Sequence, residues 1–128
     1  MRLLLDTHLL LWALAASRKL PVRVRTLLVD AGNDVLFSGA SVWEIAIKSG
    51  LRRDDFRVDI PRLLLAAEET GFDELAVTSA HAARVVSLPA LHRDPFDRLL
   101  IAQAQVESAV LLTNDVQLGR YGTPVRVI

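Results

Sequence analysis

The sequence predicts an α/β fold, a three-layer α/β/α sandwich with a central parallel sheet, and three observations predict it. Short apolar runs that suit strands buried on both faces alternate with longer segments of helical character. Single Gly and Pro residues punctuate the boundaries, with no linker-like, repeated or low-complexity stretch between them. The chain has 128 residues, the size of one domain of roughly 100 to 150 residues, so residues 1–128 are expected to share one core. Strands separated by helices join in parallel, because a crossover returns the chain to the same end of the sheet.

Taken in order, Arg2 to Leu5 is a short apolar strand that passes directly into a helix over Thr7 to Ala16, whose apolar residues include Leu9, Leu10, Leu11, Trp12, Ala13 and Leu14. Pro21 opens a second helix through Ala31, closed by Gly32 and Asn33. Val35 to Ser38 forms the second strand, followed by a helix from Val42 to Ser49 that ends at Gly50. Leu51 to Asp59 is a charged connector carrying Arg52, Arg53, Asp54, Asp55 and Arg57, and reads as an exposed loop. Pro61 starts the next helix, rich in Leu63, Leu64 and Leu65 and stopped at Gly71. Phe72 to Val77 alternates as a third strand, and Ser79 to Leu88 is a short helix ended by Pro89. Asp94 as N-cap and Pro95 at the first helical position start a helix that runs to about Ser108. Val110 to Leu112 is the fourth strand, Asp115 to Tyr121 a helical turn, and Val125 to Ile128 the last strand.

Composition narrows the function classes. Fifteen basic and fifteen acidic residues cancel to a formal net charge of zero, so no bulk field draws the protein to nucleic acid or to an anionic membrane, and any nucleic-acid site is local. Cysteine is absent, which removes disulfides, thiolate zinc sites and a cysteine nucleophile. No apolar run reaches a membrane-spanning length and no signal peptide is evident, so a cytoplasmic setting is expected. A hydrophobic fraction of 52% with mean hydropathy +0.32 exceeds what one small core needs, and points to apolar surface buried against another chain.

Four acids, Asp6, Glu44, Asp97 and Asp115, each fall near the end of a strand or in the first turn of a helix. In an open parallel sheet the carboxyl ends of the strands form the edge where ligands bind, so the four are expected at one cleft. Helix capping explains each of them singly. Ser41 to Glu44 has the spacing of a capping box, Asp94 to Asp97 is similar, and acids near helix N-termini gain about 0.3 to 1 kcal/mol from the macrodipole. Together, however, four converging carboxylates repel one another unless a cation sits among them, and oxygen donors select Mg²⁺ or Mn²⁺. Such a site suits phosphoryl chemistry, in which the ion screens the phosphate and steadies the leaving oxygen. No GxSxG elbow or P-loop competes with that reading. Thr7, Ser41, Thr113 and Asn114 are polar neighbours able to hold substrate oxygens, or simply to cap helices. His8, His81 and His92 lack metal-ligand spacing and read as surface or packing residues. Lys48, Arg93 and Arg98, with Arg52 and Arg53, are candidate phosphate contacts, or ordinary solvated charges.

The runs LLLDTHLLLWAL (Leu3 to Leu14), SVWEIAIK (Ser41 to Lys48), HRDPFDRLLIAQA (His92 to Ala104) and LLTND (Leu111 to Asp115) resemble, in that order, the PIN-domain family, and within it the VapC-type ribonuclease toxins of toxin–antitoxin pairs. The resemblance implies an α/β/α fold and a Mg²⁺- or Mn²⁺-dependent endoribonuclease. It implies Asp6, Glu44, Asp97 and Asp115 as the catalytic, metal-holding acids, with Asn114 as a polar assistant and Asp94 left to the N-cap. It also implies a homodimer and a cognate antitoxin that lays a segment across the cleft. The charged segment from Leu51 to Arg57 departs from the shorter connection of similar toxins. Three rival readings remain: a PIN-like domain that binds RNA or protein without cutting, a nuclease acting on DNA, and a phospho-acceptor receiver domain. The receiver fares worst, because Asp6 is followed by Thr7 rather than by a second acid and no lysine follows Lys48.

Overall fold

The computed structural model describes residues 1–51 and 57–128. Arg52, Arg53, Asp54 and Asp55 of the charged connector lie outside the described residues. The chain builds strands β1 (Arg2–Leu5), β2 (Asp34–Ser38), β3 (Asp73–Leu75), β4 (Val110–Thr113) and β5 (Val125–Val127). Between them lie helices α1 (Thr7–Leu14), α2 (Val22–Val29), α3 (Gly39–Gly50), α4 (Ile60–Thr70), α5 (Ser79–Arg84) and α6 (Pro95–Glu107). Short 3₁₀ turns occupy Val85–Ser87 and Leu118–Tyr121.

All strand pairs are parallel, in the order β3-β2-β1-β4-β5, which confirms the parallel α/β/α sandwich. Strand β1 lies at the centre, paired through Leu3 with Val35 on one side and through Leu4 with Leu111 on the other. Its alternation divides the core. Leu3 and Leu5 point into one layer with Leu9, Leu10, Val24 and Phe37, while Leu4 points into the other with Leu100, Ile101, Leu111 and Leu118. Leu3, Leu4 and Leu5, fully buried after the half-buried Arg2, are what a central strand covered on both faces requires. No helix among the described residues is long and apolar enough to cross a membrane.

The boundaries differ from the sequence expectation in ways that matter for the site. Helix α3 begins at Gly39, with Ser38 as its N-cap accepting the Ala40 N–H at 3.0 Å, so β2 runs into α3 without a loop. Ser41 is therefore inside the helix and does not cap it, and Glu44 stands in the second turn rather than the first. Ser38, read in the sequence as the end of the strand, takes the cap that the capping-box spacing gives to Ser41. Helix α2 stops at Val29, where Asp30 turns back to accept the Gly32 N–H at 2.8 Å. Helix α1 stops at Leu14, and Ala16 has a positive φ of 50°. Strand β3 keeps only Asp73–Leu75 of the longer alternating run. Trp12 is half-buried against the core, whereas Trp43 on α3 is 62% exposed.

Candidate active site

The site forms where β1, β4, α3 and α6 meet at the carboxyl edge of the sheet. Asp6 follows β1, and its backbone N–H donates to the Leu112 carbonyl at 3.0 Å, which fastens the residue to β4. One carboxylate oxygen caps α1 by accepting the Leu9 N–H at 2.8 Å; the other accepts the Thr113 hydroxyl at 2.5 Å. Capping and a role in the cleft therefore coexist in this one side chain. Thr113 also accepts the Asp115 N–H at 3.0 Å, so a single hydroxyl positions two acids. Asp115 in turn accepts the Gln117 N–H at 2.9 Å, fixing the turn after β4.

Glu44 is buried, 5% exposed. Thr7 donates its hydroxyl to Glu44 Oε1 at 2.7 Å, and the Ser41 hydroxyl lies 3.1 Å from Thr7 Oγ1. The Lys48 ammonium sits 2.8 Å from Glu44 Oε2, one helical turn along α3. Asp97 lies in the first turn of α6, behind the Asp94 N-cap whose carboxylate accepts the Phe96 N–H at 2.8 Å. His92 Nε2 is 2.9 Å from Asp97 Oδ2. Asp6, Glu44, Asp97 and Asp115 all line one small cleft of about 80 Å³, together with Thr7, His8, Lys48, Asp94 and Leu118.

The carboxylates sense their burial and each other. Burial pushes the Asp6 carboxyl up and Asp115 adds to the effect, against the lowering by Thr113, the Leu9 amide and His8. Burial pushes Asp97 up to about 6, with Asp94 and Glu44 adding repulsion and His92 opposing it. A cluster of oxygen donors without sulfur, two of them held above the ordinary carboxylate range, has the chemistry of a hard divalent-cation site. Donor atoms of His92, Asp94 and Asp97 lie within 4.8 Å of one another, a group that shares Asp97 with the four acids. The residues present therefore fit a divalent ion.

The family model described as PIN domain matches residues 3–123. The chain belongs to the PIN-domain family. Solved structures share this PIN fold. The chain superposes on VapBC2 from Rickettsia felis, solved bound to a promoter DNA fragment, with a TM-score of 0.71 at 14% identity, covering 100% of this chain and 98% of that one. It superposes on VapBC-1 from nontypeable Haemophilus influenzae with a TM-score of 0.69 at 15% identity, covering 100% and 97%. A toxin–antitoxin complex from Klebsiella pneumoniae gives 0.65 at 16% identity, covering 97% and 95%. No curated protein sequence matches the chain.

Within this PIN domain the remaining sequence candidates divide. Thr7 and Lys48 stand in the cleft wall. Arg93 and Asn114 are exposed and outside the cleft lining. Arg98, a candidate phosphate contact or ordinary solvated charge by sequence, is outside the cleft lining: its guanidinium donates to the Pro89 carbonyl at 2.9 Å and the Val85 carbonyl at 3.3 Å, and reaches Tyr121 Oη at 3.2 Å. One residue along a helix turns the side chain about 100° from Asp97, and that rotation takes Arg98 off the cleft and onto the loop before α6. His92 was missed in the other direction. It is set aside in the sequence for want of metal-ligand spacing, yet the turn before α6 brings the imidazole back onto the carboxylate. His8, adjacent to Thr7, also joins the cleft wall, while His81 is buried away from it beside Glu107.

Proposed function

We propose that this PIN domain is a VapC-type toxin, a Mg²⁺- or Mn²⁺-dependent endoribonuclease that cuts RNA phosphodiester bonds and is held in check by a cognate antitoxin. The observation that carries the proposal is the convergence of Asp6, Glu44, Asp97 and Asp115 on one cleft, with Asp6 and Asp97 raised above the usual carboxylate range. Structural carboxylates that only cap helices gain nothing from mutual proximity. A site that receives a cation is the setting in which such proximity is useful. The likeness to toxin–antitoxin complexes supports the partner.

The four acids would hold the ion, which when bound supplies neutralisation of the phosphate charge and Lewis-acid polarisation. The chain's own residues do the positioning. Thr113 orients Asp6 and Asp115, Thr7 orients Glu44, and His92 orients Asp97. Lys48 in the wall and the exposed Arg93, next in sequence to Asp94, offer positive charge to substrate phosphates, while Asn114 offers amide groups next to Asp115. The domain is taken to act as one unit over 1–128, in the cytoplasm and as a homodimer, with the surplus of apolar surface as the reason for the last.

Cleavage of total cellular RNA by the purified chain, with Mg²⁺, with Mn²⁺ and with chelator, tests the reading alongside Asp6→Asn and Asp97→Asn. Discrete fragments that require the ion and vanish in both variants are expected. Ion-independent cleavage, or full activity in both variants, would sink it and leave a PIN domain that binds without cutting.

A further inference from the structure

We propose that Lys48 is a resident counter-cation of the acid cleft, which a divalent ion must displace from Glu44 before the cleft is loaded. The inference rests on the reading of the four acids as the ion's site.

Glu44 is as buried as Asp6, with a side chain only 6% exposed, whereas the Lys48 side chain is 44% exposed. A half-exposed lysine therefore places its ammonium on a buried carboxylate, a contact its flexible four-carbon chain allows. The order Glu then Lys at i, i+4 on α3 is the favourable one for a helical ion pair. The imidazoles at the cleft belong to different acids. His92 sits on Asp97, and His8 lowers the carboxyl of Asp6. Both oxygens of Glu44 are already engaged, one by the neutral Thr7 hydroxyl and the other by the Lys48 charge.

An ammonium and a divalent ion sharing one carboxylate would repel each other in a partly desolvated site. An arriving ion therefore gains Glu44 at the expense of the Lys48 contact. Once released, the ammonium would remain at the cleft wall, available to a substrate phosphate, so one side chain ties loading of the ion to readiness for substrate. Lys48 is in this account a positioning residue, neutralising the acids before the ion arrives and facing the phosphate afterwards.

Mn²⁺ binding, measured by paramagnetic resonance of the free ion on the full chain, tests this. Wild type is compared with Lys48→Met, Lys48→Arg and Asp6→Asn, and folding of each is checked by circular dichroism. Lys48→Met is expected to bind Mn²⁺ about five- to tenfold more tightly, while Lys48→Arg stays near wild type because it keeps the charge. Lys48→Gln, which keeps a donor for Glu44 but no charge, takes the place of Lys48→Met if the latter does not fold, with the same tightening expected. Unchanged or weaker Mn²⁺ binding by the folded, uncharged variant would overturn the proposal. If Asp6→Asn weakens Mn²⁺ binding and the Lys48 variants do not tighten it, the counter-cation role alone falls. If Asp6→Asn has no effect, the acids are not the ion site and the functional reading falls with it.

Discussion

Thr113 donates its hydroxyl to Asp6 across the junction of β4 and β1, at 2.5 Å, and both residues are buried. The same oxygen accepts the Asp115 amide, so the hydroxyl serves the first and the last of the four acids at once. Thr113→Val keeps the shape and deletes both contacts. It is expected to lower stability by about 1 to 3 kcal/mol, the cost of stranding buried polar partners. It should also push the Asp6 carboxyl further up, because a lowering contact is lost. Urea unfolding gives the first quantity, and carboxyl titration of Asp6 by NMR the second. An unchanged Asp6 titration would contradict the role.

The raised carboxyl of Asp97 carries a cost at neutral pH. Its pKa in the folded chain is about 6 against an ordinary 3.8, so between those values the folded state holds more protons than the unfolded state. Stability of the ion-free protein should therefore fall as pH rises from about 4 to 6, and stay lower above that. Asp6 is shifted in the same direction. Asp97→Asn is expected to be more stable than wild type at pH 7, by an amount of order 2 kcal/mol, with the advantage gone near pH 4. Denaturant unfolding at several pH values, in chelator, measures it, and a pH-independent difference would count against the account.

Arg98 should behave as a structural residue. Its guanidinium ties α6 to the carbonyls of Val85 and Pro89, near the end of α5 and in the loop before α6. Arg98→Ala is expected to cost about 2 kcal/mol in stability, the range for charge-assisted hydrogen bonds, while the apparent affinity of the folded fraction for RNA stays within about twofold. RNA binding measured well below the unfolding transition separates the two effects.

Gly71 ends α4 in the left-handed region, with φ at 86°. A β-carbon at this position meets nothing within 4 Å, so Gly71→Ala introduces backbone strain without a clash. A loss of about 1 kcal/mol is expected in thermal or urea unfolding, with RNA cleavage unchanged.

The architecture was legible because its signals are local. The apolar β1, the Asp94–Pro95 helix start and the stop at Gly71 each report a boundary within a few residues, and the structure keeps all three. The meeting of the four acids was legible too, since strand ends in a parallel sheet share one edge. What escaped was decided by side-chain direction or by the path of a turn. Arg98 looked like a neighbour of Asp97 because proximity in sequence conceals the rotation of a helix. His92 was set aside with the other histidines for want of metal-ligand spacing, and the turn before α6 is what brings it onto Asp97. The start of α3 was misplaced because Ser38 and Ser41 are equally good caps by residue type, and only the end of β2 separates them.

The direct passage of β2 into α3 limits how this gene segment can change in length. Each residue added to or removed from the stretch between Ser38 and Glu44 would rotate the carboxylate by about 100° and move it about 1.5 Å along the axis, carrying it away from Thr7. No intervening loop exists in which to absorb the frame change. The stretch can therefore accept exchanges of one side chain for another, while insertions and deletions are confined to connections elsewhere in the chain.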